Sequence, residues 1–229
     1  MKKPIFLLAI PILLLLSCCG SPGREPHIEI NSIGLQKIPL KESGITSYTP
    51  FPGVFLMGVD YDHWVKYSDD VRKEMRKIFH GESAMWYYEV CFMGKEYYLV
   101  NYRSATFFTP EDVTVEVVGK QDRHTVLKLQ PFPVASFVAH EVVMNDKPYL
   151  VVYVDAPGRY GRRNESALYI ADADLKVVYK EILTRAVEIG WTSDKQYGSC
   201  IVLRSINGLW DPEKEEWHPI NGEWVYYLP

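Results

Sequence analysis

The sequence lacks the short motifs that announce common enzymes. It has no G-x-G-x-x-G dinucleotide loop, no G-x-x-x-x-G-K-[ST] phosphate loop, no H-E-x-x-H helix and no G-x-S-x-G nucleophile elbow. The six histidines, at 27, 63, 80, 124, 140 and 218, stand singly, with no pair at i, i+2 or i+4. Four cysteines in 229 residues are too few for a disulfide scaffold, and none forms a C-x-x-C pair of zinc-like spacing. No cofactor is expected from this inventory. Basic residues (25) do not exceed acidic ones (29), so there is no cationic excess for a nucleic acid backbone. The longest apolar run, Ile5 to Leu16, would reach about 18 Å as a helix, short of the ~30 Å of a bilayer core.

What is present begins at the first residue. Met1-Lys2-Lys3 is a short positive start, and the apolar run follows it directly. That order reads as a secretory signal, not a membrane span. The run ends Leu15-Leu16-Ser17-Cys18. This ending resembles the lipobox of bacterial lipoproteins: Leu, a tolerant position, a small residue, then the Cys that receives the lipid. The resemblance covers residues 1–20. It implies a signal peptide over 1–17 and diacylglycerol on the Cys18 thiol, with cleavage before it and acylation of the new amine. It also implies attachment to the cell envelope. Cys19 stands where an Asp would favour inner-membrane retention in enterobacterial lipoproteins, so a host with two membranes is expected to place this one in the outer membrane. Residues 18–27 contain Gly20-Ser21-Pro22-Gly23, turn formers suited to a tether.

Residues 28–229 read as one β-rich domain with one helix. Ser68 can cap that helix over about 69–80, Asp69 and Asp70 suit its N-terminal end, and Gly81 follows its last turn. Val71, Met75, Ile78 and Phe79 form its apolar stripe. After Gly81 the pattern is strand and turn. Met85–Phe92, Glu96–Tyr102, Ser136–Met144, Tyr149–Asp155, Ala167–Ala171, Lys176–Leu183 and Ser199–Arg204 are the clearest strands, rich in Val, Tyr and Ile. Met93-Gly94-Lys95, Asn145-Asp146-Lys147 and Asp172-Ala173-Asp174 are the turns between them. The runs group into antiparallel meanders at about 85–129, 135–183 and 186–228, a spacing like that of propeller blades. A ring would need a fourth blade from 28–60. A β-sandwich or open barrel is built equally well from the same hairpins.

Four features are candidates for chemistry. The loop Ala156–Ser166 carries Arg159, Tyr160, Arg162 and Arg163 between glycines, a set that can hold carboxylate or phosphate in bidentate fashion and stack on a ring. Asp155, Asp172 and Asp174 sit at strand ends and would offer calcium ligands if they met at one rim, although the turn lacks the usual glycine. Trp86, Tyr87, Tyr88, Trp210, Trp217, Trp224, Tyr226 and Tyr227 divide between core and surface, and exposed ones suit sugar rings. Cys91 and Cys200 either pair as a disulfide or remain two separate core thiols. The expected function is a membrane-anchored binding module for a glycan, a peptide or another envelope protein. The alternative is a hydrolase acting on an envelope polymer.

Overall fold

The computed structural model describes residues 27–51, 83–103, 114–121, 124–129, 136–156, 165–183, 188–204, 208–211, 216–219 and 222–229. The helix expected over 69–80 lies outside them, as do residues 52–60 of the segment that a fourth blade would need.

Four consecutive strands, β4 (Ser83–Phe92), β5 (Lys95–Arg103), β6 (Thr114–Gly119) and β7 (Thr125–Leu129), form the front sheet in the order β4-β5-β6-β7. The next four, β8 (Ser136–Met144), β9 (Lys147–Ala156), β10 (Glu165–Ala171) and β11 (Val177–Leu183), form the central sheet. An early strand, β1 (His27–Asn31), is added at its β11 edge. The back sheet runs β2-β16-β13-β12-β3, from β2 (Gln36–Pro39), β16 (Glu223–Tyr227), β13 (Gly198–Arg204), β12 (Glu188–Asp194) and β3 (Thr49–Pro50). A short hairpin of β14 (Gly208–Asp211) and β15 (Glu216–Pro219) pairs Trp210 opposite Trp217. The only helix among the described residues is one turn, α1 (Leu40–Ser43). Every pairing is antiparallel.

The fold is mainly β, as the sequence pattern implies, and it has the stacked arrangement of a sandwich. The sheets do not close into a ring among the described residues. The residues expected to supply a fourth blade are instead shared out: β1 extends the central sheet, while β2 and β3 form the two edges of the back sheet. Asn31 fixes the crossing between β1 and β2, its side chain bonding both the amide and the carbonyl of Leu35 at 2.8 Å. The four-strand meander grouping therefore holds for the first two meanders and fails for the last, where β16 pairs with β13 and β2.

Alternation along the strands explains the layering. In a strand successive side chains point to opposite faces. On β9, Leu150, Val152 and Val154 pack toward the front sheet against Phe92, Tyr97, Leu99, Val115 and Val117. Tyr149, Val151 and Tyr153 pack toward the back sheet with Ile189, Ile201, Leu203 and Tyr226. The central sheet is thus buried on both faces, which is why β9 and β10 read as nearly unbroken apolar runs. The tight hairpins follow from the turn residues. Met93 and Gly94 (φ 50° and 71°), and Asn145 and Asp146 (φ 49° and 59°), both have positive φ at the two central positions, matching the twist of the flanking strands.

Candidate functional site

Two constellations link the central and back sheets. The first is buried. Glu181 on β11 is 1% exposed and faces the back sheet. Its Oε1 accepts a bond from Lys37 Nζ at 2.5 Å, and its Oε2 accepts from the hydroxyls of Tyr179 (2.9 Å) and Tyr226 (2.8 Å). Burial, followed by the Glu181 charge, raises both phenols above the ordinary tyrosine range, so both stay protonated donors. Both carboxylate oxygens are engaged, so this cluster holds β2 and β16 against the central sheet.

Its neighbour Lys180 points to the other face of β11. It is 4% exposed, bonds Glu29 of β1 at 2.5 Å and lies over the Tyr169 ring at 5.6 Å. Burial works against the Glu29 carboxylate, but the hydrogen bond and charge of Lys180 outweigh it and hold its pKa below the usual carboxylate value. Successive residues of one strand therefore fix two early strands through ion pairs of opposite polarity.

The second constellation opens to solvent. Phe51, His140 on β8 and Trp191 on β12 form a row of rings running from core to surface. Phe51 is 2% exposed, His140 is half-buried and Trp191 is 36% exposed. The His140 ring lies 5.0 Å from Phe51 and 6.5 Å from Trp191, with an interplanar angle of 25° to the indole. Local structure sets this up. Ile189 and Trp191 share one face of β12, and Val138, His140 and Val142 share one face of β8. The apolar members of both sets belong to the core between the two sheets. Gly190 lets the chain before Phe51 approach, because a Cβ there would sit 2.5 Å from the Thr49 carbonyl oxygen and from the Tyr48 ring. Burial pushes the His140 imidazole below its ordinary pKa, opposed by the charge of Glu141, so it is neutral at pH 7. Glu141, its chain neighbour, accepts from the Met93 amide, and Glu188, three residues before Trp191 on β12, accepts from Tyr48.

The residues singled out from the sequence are distributed differently. Cys18, Arg159, Tyr160, Arg162 and Arg163 lie outside the described residues. The strands flanking the arginine loop stay paired up to Ala156 opposite Glu165. The Cys91–Cys200 disulfide is not formed. Cys91 is an exposed free thiol on β4 of the front sheet, and Cys200 is a buried free thiol on β13 of the back sheet. The central sheet stands between them, whereas a disulfide needs Cα atoms within about 7 Å.

The three aspartates do not share a rim. Asp155 pairs opposite Ser166, while Asp172 follows Ala171 at the other end of β10, about 20 Å away along the strand. Asp172 is a turn former, its Oδ1 accepting from the amides of Asp174 (3.1 Å) and Lys176 (3.0 Å). Among the described residues no group of three His, Cys, Asp or Glu is placed to hold a metal. Of the aromatics, Tyr226 is core, Tyr227 packs on Tyr197 at 4.9 Å, and Trp224 lies under Lys37 at 4.8 Å. The side chains of Trp86, Tyr87, Tyr88, Trp210 and Trp217 lie outside the described residues; among those described, the exposed large ring is Trp191, which its alternation with Ile189 would have flagged. Set against family models, curated proteins and solved structures, the chain matches none of them.

Proposed function

We propose that the chain is a lipoprotein of the bacterial envelope, anchored by lipid on Cys18, whose stacked sheets serve as a binding module for an envelope component. The observation that carries the binding reading is the ring row Phe51–His140–Trp191. An exposed indole braced on a neutral imidazole and a buried phenyl is a preorganised contact surface, and preorganisation removes part of the entropy cost of association. The anchor reading rests on Met1-Lys2-Lys3, the apolar run and Leu15-Leu16-Ser17-Cys18. Two or more acyl chains, each methylene contributing about 0.8 kcal/mol, would keep the module at the membrane. With two membranes in the host, the outer one is the proposed site. The arginine loop with Arg159, Tyr160, Arg162 and Arg163 is a second proposed contact, suited to an anionic partner.

The test has two arms. Cys18→Ser, with Cys19 intact, is expected to abolish labelling by radioactive palmitate; persistent labelling would refute anchoring at Cys18. The purified full chain is expected to co-sediment with isolated peptidoglycan sacculi or with membrane vesicles of the envelope, and Trp191→Ala is expected to reduce that. Sedimentation with neither material would refute the binding module.

A further inference from the structure

We infer that the Trp191 shelf takes the apolar face of a neutral sugar ring, with the His140 imidazole bonding one of its hydroxyls. This inference rests on the binding-module reading and names its ligand.

Three observations converge on it. The shelf is small: one partly exposed indole on β12 beside the His140 ring of β8. That area suits a single ring, and a pyranose presents a face of C–H bonds to an aromatic plane while its hydroxyls lie around the rim. The shelf also has one polar edge in an apolar setting. No described residue hydrogen-bonds the His140 ring, whose neighbours on the same strand face, Val138 and Val142, are buried and aliphatic. A neutral imidazole supplies one donor and one acceptor, the pair that a sugar hydroxyl complements. Finally, the charge that reaches the shelf among the described residues is negative: Glu141, bonded to the Met93 amide, still acts on the His140 ring, and Glu188 is bonded to Tyr48, so a carboxylate or phosphate ligand finds no counter-charge there.

The competing ligands differ in what they would need. A peptide strand would depend on a free sheet edge more than on one indole. An anionic glycan would depend on arginines, not on this shelf. A flat aromatic compound would stack on Trp191 but make no use of a hydroxyl-bonding imidazole.

The experiment is calorimetric titration of the full chain in detergent micelles. The probes are the neutral N-acetylglucosamine trimer, an anionic heparin fragment and free indole. The trimer is expected to bind, Trp191→Ala to weaken it about tenfold, and Trp191→Phe to retain most of the affinity because a ring remains. His140→Gln, which keeps a donor and an acceptor, is expected to weaken it less than His140→Ala. Trimer affinity unchanged by Trp191→Ala, or binding of indole or heparin that is tighter than that of the trimer and is lost in Trp191→Ala, would overturn the inference. Co-sedimentation with sacculi lost in Trp191→Ala, without any trimer binding, would overturn the sugar assignment and leave the binding module standing. Circular dichroism and thermal midpoints of the variants separate lost binding from lost folding.

Discussion

Toward the front sheet the central sheet presents Leu150, Val152, Val154, Ala167 and Ala171; toward the back sheet it presents Tyr149, Tyr153, Tyr179 and the carboxylate of Glu181. The first face is held by aliphatic packing, which has no preferred direction and depends on volume. Small alanines on β10 leave room for Phe92 and Tyr97 across the gap. The second face adds a hydrogen-bonded centre whose geometry is fixed by Lys37, Tyr179 and Tyr226. The apolar face tolerates changes of shape that conserve volume. The polar face tolerates only changes that keep every donor matched to an acceptor.

The sharpest way to break this contrast is truncation on the aliphatic side. Leu150 is fully buried, and Leu150→Ala is expected to cost about 2–5 kcal/mol in urea unfolding, whereas Leu150→Met should cost less than about 1.5 kcal/mol. Equal losses for the two variants would mean that volume is not what holds that face. On the other side, Lys37→Met leaves a buried carboxylate without its cation and is expected to cost about 3 kcal/mol, near the low end for a buried pair because Lys37 is partly exposed. Adding Glu181→Gln should restore most of the loss, since an amide oxygen still accepts from both phenols. A double variant as unstable as the single one would show that matching is not the organising feature.

A smaller effect concerns a phenol outside the interface. Burial, then the hydrogen bond and charge of Glu188, push the Tyr48 hydroxyl up to about 12. The unfolded chain loses that proton first, near pH 10, so the contribution of Tyr48 is complete below pH 10 and declines as pH rises toward about 12. Comparison of wild type with Tyr48→Phe in denaturant melts between pH 9 and 12 should isolate this decline; parallel curves would remove Tyr48 as its source. The least perturbing test is thiol labelling followed by peptide mapping. Cys91 is expected to react in the native protein, while Cys200, buried and with its thiol pushed up to about 11 by burial and by Asp194, should react only after unfolding. A linked Cys91–Cys200 peptide would contradict the separation of front and back sheets.

Much of the strand set was legible because local chemistry decided it. β8, β9, β10 and β11 follow from runs rich in Val, Tyr and Ile and from turns whose residues accept positive φ or cap their own backbone, as Asn145, Asp146 and Asp172 do. β3 was not legible: a two-residue strand with a proline gives no periodic signal. The destinations of β1 and β2 were also hidden, since long-range ion pairs at Lys180 and Glu181 select their sheets. Two charged residues inside an apolar strand do signal buried partners, but not which ones. The ring row is a tertiary feature drawn from positions 51, 140 and 191, and no short window contains it.

The paired charges on β11 also act as a check on alignment. If β11 slid by one residue against its neighbours, every side chain would change face. Lys180 would then meet Lys37, and Glu181 would meet Glu29. Two attractions would become two repulsions at half-buried sites, where like charges cost more than on an open surface. An aliphatic strand alone would accept such a slip with modest loss. Lys180 and Glu181 exclude the shifted alignment more firmly than they favour the native one.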